Sequence, residues 1–189
     1  RLMLELGQGF GKRSQDGRWI GSALTLPLGP AVSWVSMVLV TAPERGKGLG
    51  TELLARCLDA VAGSGRMAGL DATEFGRPIY LPLGFEDVFP LSRWRWDAPS
   101  PVPATPPPEV VVRPATPPDI AAIVAYDAPR SGFAREAILA NLLGRSAGFA
   151  QVALRDGALA GFALGREGWR WHHIGPVVAD NESIGLALL

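Results

Sequence analysis

Between residues 38 and 51 the chain reads VLVTAPERGKGLGT. Gly46, Gly48 and Gly50 alternate there, with Arg45 and Lys47 set among them. Glycine adopts backbone conformations that other residues avoid and lets a ligand approach the main chain. An apolar run leads into this loop and a helical pattern leads out of it. The unpaired amides of a first helical turn therefore point into the loop, and the helix dipole favours an anion at that place. Two cations among three alternate glycines call for a phosphate or a pyrophosphate, a combination that a purely structural loop does not need.

The spacing restricts the kind of phosphate motif. A P-loop requires four residues between its first glycine and Gly-Lys-Ser/Thr, and a dinucleotide fingerprint requires G-x-G-x-x-G. Gly46-x-Gly48-x-Gly50 fits neither. Upstream, Gly9-Phe10-Gly11-Lys12-Arg13-Ser14 looks like a broken P-loop, but Leu6 stands where its first glycine belongs and Arg13 where Ser or Thr belongs. It is read as part of a hairpin.

Other reactive side chains are few. The single cysteine, Cys57, allows no internal disulfide. It shares an apolar helical stripe with Leu53, Leu54 and Val61, which predicts burial rather than acyl transfer. His172 and His173 are the only histidines and are neighbours on a predicted strand, where adjacent side chains take opposite faces. One is expected to be buried and the other exposed. No Cys/His/carboxylate grouping suggests zinc, and no Gly-x-Ser-x-Gly elbow suggests a serine hydrolase. No metal is expected.

Eighteen basic residues balance eighteen acidic ones, so no overall field draws the chain to nucleic acid or anionic lipid. The longest mostly apolar run, residues 31–40, is too short to span a bilayer. With no signal-peptide pattern, the expectation is a cytoplasmic protein with neither a nucleic-acid nor a membrane partner. The six tryptophans are assigned to core and interface packing. The first residue is Arg1, and the last, Leu188 and Leu189, fall inside an apolar helical pattern, which reads as a piece of a longer chain.

The elements that would position the loop follow from periodicity and turn signals. Residues 9–14 and 18–26 read as a hairpin around Asp16-Gly17. Residues 31–40 alternate and then become continuously apolar, as a strand entering a covered core does. Residues 51–62 carry helical spacing, 67–72 a short strand, 74–81 a short helix interrupted by Pro78, and 85–96 a returning strand. Six prolines between positions 99 and 108 exclude helix and inner strand and predict a stiff connector. Beyond it come a strand at 110–113 and a helix capped by Thr116, with Pro117 at its first position and Asp119 behind. A second helix is expected at 134–143, a hairpin of 148–155 with 158–166, a strand at 169–178, and a helix from 182. The fold class is α/β (α+β): a mixed, mostly antiparallel sheet flanked by helices. Both halves share the run hairpin, third strand, loop, helix. They read as two tandem copies of one fold, each incomplete, at 1–97 and 110–189, joined by a Pro-rich linker at 98–109.

Arg45-Gly46-Lys47-Gly48-Leu49-Gly50, after its Val-rich strand, resembles the R/Q-x-x-G-x-G/A signature of the GNAT acetyltransferases. Leu70-Asp71-Ala72-Thr73, Gly76-Arg77-Pro78-Ile79-Tyr80 and Leu83-Gly84-Phe85 are similar to that family's next strand, next helix and Y-x-x-x-G-F close. The resemblance implies the GNAT fold and acetyl-CoA as co-substrate. It places the pantetheine arm on Val38, Leu39 and Val40, and the pyrophosphate on Arg45, Gly46, Lys47, Gly48, Leu49, Gly50 and Thr51. It makes Tyr80 the general acid that protonates the departing thiolate, a role suited to a phenol that is protonated at neutral pH. The implied reaction is direct attack of an uncharged primary amine, of a small molecule or a peptide, on the thioester. In several relatives a glutamate on the strand before the loop takes the amine proton. Residues 31–40 hold no acid, which leaves Asp71, Glu74, bulk water or a group outside this sequence.

The second half resembles the C-terminal GNAT-like domain of two-domain acetyltransferases. It does so through Asp156-Gly157 to Gly161-Phe162, Gly165-Arg166-Glu167-Gly168 and Ile174-Gly175-Pro176-Val177-Val178-Ala179. Where a phosphate loop would follow it reads Ala179-Asp180-Asn181-Glu182-Ser183, two acids with no glycine triad. This copy is expected not to bind CoA in the usual way. The first reading of the chain is therefore an amine N-acetyltransferase, with homodimerisation left open. A non-catalytic acyl-CoA sensor is the second, and a different phosphate-ligand module the third.

Overall fold

The structure, a computed structural model, describes residues 2–96, 104–145 and 147–189. It divides into two compact units, Arg1–Trp96 and Asp97–Leu189. Half of the expected Pro-rich linker, residues 98–103, lies outside the described residues. Among the described residues no helix is long and apolar enough to cross a membrane.

The first unit begins with a short helix, α1 (Leu2–Leu6), which the sequence reading left unassigned. Three antiparallel strands follow: β1 (Gln8–Arg13), β2 (Trp19–Pro27) and β3 (Val32–Val40). The β1–β2 turn closes at Gly17, whose φ of 83° suits glycine. After a turn at Ala42–Glu44 the chain enters α2 (Leu49–Gly63), then β4 (Met67–Gly69) and α3 (Arg77–Tyr80). Sheet order is β1-β2-β3-β4, with only β3 and β4 parallel.

Helix α2 forms because Leu49, Leu53, Leu54, Cys57 and Val61 recur at helical spacing, and all five are buried. They pack on Ala23 of β2 and Val35 of β3 to make the core of this unit. Burial pushes the Cys57 thiol up to about 11, so at neutral pH it is a protonated, inert core group.

The returning strand expected at residues 85–96 does not form. Pro90 lacks the amide that a ladder needs, and no described strand pairs with this stretch. Its apolar side chains lie open: Val88, Phe89, Leu91 and Trp94 are all exposed.

The second unit is a four-stranded antiparallel sheet of β5 (Val110–Pro114), β6 (Gln151–Arg155), β7 (Ala158–Arg166) and β8 (His173–Ala179), in that order. Helices α4 (Ile120–Ser131) and α5 (Glu136–Arg145) cover one face through Ile123, Leu139 and Leu143 on Phe162 and Leu164. Helix α6 (Glu182–Ala187) lays Ile184 against Ala153, Ala160 and Ala163, whose small side chains let it approach the other face. The Thr116–Asp119 capping box is present, and Arg113 grips the same Asp119 carboxylate at 2.7 and 2.8 Å. Asp127 is fully buried, and Arg135 meets it through two hydrogen bonds of 2.7 and 2.8 Å.

The expected division of the histidines into one buried and one exposed fails. His172 and His173 are both exposed, because β8 begins only at His173 and His172 lies in the preceding loop with its ring against Phe149, centroids 4.9 Å apart.

Candidate functional site

The first unit concentrates its unusual geometry at the end of β3. Strand β3 pairs with β4 only through Val32, Ser33 and Trp34, facing Met67, Ala68 and Gly69. Beyond Trp34 the strands separate, and the β3 edge from Val35 to Val40 has no β4 partner. On its other edge β3 carries a bulge: the register with β2 shifts between Ser22 and Leu24, and Met37 takes a left-handed φ of 54°. The Ser22 hydroxyl donates to the Met37 carbonyl at 3.0 Å and fixes the kink.

Parity shows what the open edge offers. The Thr41 amide donates to the Ile20 carbonyl of β2 at 3.0 Å. Alternation along the strand then turns the Leu39 amide the same way and those of Val38 and Val40 toward the open edge. The Val40 carbonyl accepts from Arg45 Nε at 3.1 Å, which ties that guanidinium back to the strand. An extended ligand chain laid along this edge would find backbone donors and acceptors at alternate residues.

The loop at the end of that edge has the conformation its glycines suggested. Gly46 and Gly48 have φ of 75° and 78°, and a Cβ at either would meet nothing within 4 Å. Space does not demand glycine there. The backbone angle does. Gly48 is the N-cap of α2 and supplies no side-chain cap. In the first hydrogen bond of the helix the Glu52 amide donates to the Gly48 carbonyl at 2.9 Å. The amides of Leu49, Gly50 and Thr51 precede it and have no acceptor within the helix. Leu49 buries its side chain in the core, so only its amide could serve a ligand. Lys47 is exposed and pairs with Glu44 at 3.0 Å, an exposed ion pair of small energy that an incoming anion could rearrange.

Tyr80 belongs to the same neighbourhood. Its ring packs on the core shared by Val38, Val40 and Leu49, lies 5.9 Å from Phe85, and folds over Gly76, where a Cβ would come within 2.8 Å of it. Two residues that the sequence reading passed over lie at the point where the strands part. The Trp34 ring covers Gly69, and its Nε1 donates to Asp71 Oδ2 at 3.4 Å. Ser36 Oγ is buried with no hydrogen-bond partner among the described residues. Glu74 is exposed.

Among the described residues no three His, Cys, Asp or Glu side chains are grouped so as to hold a metal ion. The site is an open strand edge leading to a helix start without a side-chain cap, with a tyrosine packed beside the edge and a carboxylate near the fork.

The model of the acetyltransferase (GNAT) family matches residues 5–77, and an acetyltransferase (GNAT) domain model matches residues 123–189. A crystal structure from Pyrococcus horikoshii described as an acetyltransferase superposes over 92% of this chain with a TM-score of 0.63 at 21% identity. A GCN5-related N-acetyltransferase from Sphaerobacter thermophilus superposes over 95% with a TM-score of 0.61 at 18% identity. At these identities the likeness concerns fold. The chain spans 57% and 64% of the lengths of those two proteins. No curated protein sequence matches it.

Proposed function

From the premise that this chain belongs to the GNAT superfamily of acetyltransferases, with its second unit a divergent GNAT-type domain, we propose that the first unit binds acetyl-CoA and transfers its acetyl group to a primary amine of a small molecule or peptide. One observation carries the reading. The unpaired β3 edge ends in a glycine loop at the start of a 15-residue helix, with Arg45 and Lys47 beside it. The three unpaired amides of α2 suit the two phosphates of the pyrophosphate. The edge at Val38, Leu39 and Val40 suits the amide-bearing pantetheine arm, which would pair as an added strand does. Running from the loop along the strand, the arm delivers the thioester toward Met37 and Ser36, where β3 and β4 have parted.

The chemistry follows from that placement. An uncharged amine attacks the thioester carbon, and the nitrogen–carbon bond forms as the carbonyl oxygen gains charge. A strand amide at the open edge stabilises that oxyanion. The carbon–sulfur bond then breaks, and Tyr80 protonates the thiolate; a proton shed by the amine restores the phenol. Positioning the two reactants supplies much of the acceleration.

Calorimetric titration with acetyl-CoA, followed by measurement of free CoA with and without a panel of primary amines, tests the proposal. Binding with amine-dependent CoA release is expected. Tyr80→Phe should bind acetyl-CoA normally and transfer at a rate reduced about 10²-fold. Binding without turnover for any amine would favour a sensor. Thermal protection by nucleotides but not by acetyl-CoA would favour another phosphate ligand.

A further inference from the structure

Strand β3 has no acid that could take a proton from the attacking amine, yet the fork between β3 and β4 holds one. The β3–β4 register pairs Val32 with Met67, Ser33 with Ala68 and Trp34 with Gly69. The ladder ends at Trp34–Gly69, and Asp71 lies two residues past it. Residues paired directly in a parallel ladder present their side chains on one face, and residues two apart along a strand share a face. Trp34 and Ser36 therefore share one face of β3, and the Trp34 contact brings Asp71 to that face. The contacts agree: the Trp34 ring lies over Gly69 and its indole N–H reaches Asp71. Val35, one residue along, faces the α2 core instead. The carboxylate thus lies 3.4 Å from an indole donor on the strand that carries the proposed thioester, just past the point where that strand loses its partner. On the same face of β3 as Trp34, Ser36 Oγ is a buried hydroxyl with no partner among the described residues. Such a group normally finds one, and a polar group brought to the fork would supply it.

We infer that Asp71, oriented by the Trp34 indole, is the group that receives the proton of the acceptor amine. The inference rests on the acetyl-transfer reading and deepens it. The acceptor arrives as an ammonium ion, and the Asp71 carboxylate anchors it. One N–H bond breaks, its proton passes to Asp71 and then to solvent, and the freed electron pair forms the bond to the thioester carbon. The second proton lost from nitrogen balances the one Tyr80 gives to sulfur. Asp71 and Glu74 are both exposed, but among the described residues only Asp71 meets a donor from β3, so Glu74 is not assigned the role.

The test uses the whole chain, acetyl-CoA and two acceptors: the best alkylamine of the panel, which is charged at neutral pH, and hydroxylamine, which is largely uncharged there. Asp71→Asn should keep its acetyl-CoA affinity within about threefold, lose about 10²-fold in kcat/KM toward the alkylamine, and lose little toward hydroxylamine. Trp34→Phe should lose several-fold toward the alkylamine alone, and Glu74→Gln should behave as the parent does. A merely structural role for Asp71 would depress both acceptors alike, and that result overturns the inference. So does an Asp71→Asn protein as active as the parent, or a Glu74→Gln protein with the selective loss. A parent chain that does not bind acetyl-CoA, or binds it and transfers to neither acceptor, removes the transfer reading itself, and this inference with it.

Discussion

Each unit runs three antiparallel strands into a loop and then a helix, and the two loops leave the helix start in opposite states. From β3 to α2 the loop spans Thr41 to Gly48, bends at two left-handed glycines, and delivers a helix whose cap has no side chain to offer its amides. From β8 to α6 only Asp180 and Asn181 intervene. Asn181 caps α6 itself, accepting from the Ile184 amide at 3.0 Å. Asp180 brings a carboxylate of its own, met by the Tyr126 hydroxyl at 2.6 Å, Arg130 at 3.0 Å and Arg155 at 3.7 Å. Arg130 also lies 3.5 Å over the Tyr126 ring. The Tyr126 hydroxyl bond, foremost, and then the two arginines hold the Asp180 carboxyl below the usual carboxylate range against the opposing effect of burial. One scaffold thus presents unsatisfied donors at one loop and supplies both cap and counter-charge from its own side chains at the other. The strand-loop-helix frame does not by itself leave the donors of a helix start open; loop length and cap identity decide.

The contrast breaks most readily at Gly48. Gly48→Glu puts a carboxylate where the pyrophosphate is proposed to bind and forces a non-glycine residue to φ near 78°. Acetyl-CoA affinity should fall more than about 10²-fold by calorimetry, from lost access and like charge together, with a stability cost of about 1–2 kcal/mol from the backbone. The counterpart change in the second unit, Asn181→Ala, should cost about 1 kcal/mol of stability through the lost cap and leave acetyl-CoA binding untouched. Equal losses of affinity from both variants would mean that the loops do not differ as described.

A smaller effect is expected from the second unit's internal counter-charge. Asp180→Ala leaves the Tyr126 hydroxyl with only the Ala160 carbonyl, which it reaches at 2.7 Å, and removes the carboxylate between Arg130 and Arg155. Loss of a charge from a fully buried pair costs about 3–5 kcal/mol. The Asp180 side chain is 31% accessible, so solvent screens part of this and about 2 kcal/mol is the expected loss in urea unfolding. Acetyl-CoA affinity should stay as it was. A variant as stable as the parent would show that the cluster is decoration on the surface.

The first of these loops was legible in the sequence because everything it needs is local. Cations, glycines and helix start fall within Arg45 to Thr51, so spacing alone conveys the geometry. The hairpins at Asp16-Gly17 and Asp156-Gly157 and the Thr116 cap were legible for the same reason. The second loop showed only that it lacks glycines and carries acids. Its partners stand 54 and 50 residues away on α4, and no local pattern announces them. The fork was hidden in the same way: Trp34 and Asp71 meet across 37 residues, and only the register of a three-residue parallel ladder brings them together. Residues 85–96 misled in the other direction. Their apolar content reads as strand, but a strand exists only by pairing, and Pro90 withholds an amide where pairing would need it.

The smallest expected effect sharpens the comparison by asking whether Tyr126 works as part of the second loop. Burial first, and then the adjoining Asp180 carboxylate, push its phenol up to about 12. The folded chain therefore keeps the proton where the unfolded chain, with an ordinary phenol, would release it near pH 10. The stability from this group is fully present below pH 10 and is lost as the pH rises through about 12. Near pH 10.5 the loss should be about 1 kcal/mol relative to pH 9. Tyr126→Phe cannot titrate, so the difference in unfolding free energy between parent and variant should be constant from pH 7 to 9 and shrink above pH 10. A constant difference throughout would mean that the phenol ionises equally in both states. The hydroxyl would then owe nothing to Asp180, and the internal counter-charge of the second loop would reduce to its arginines.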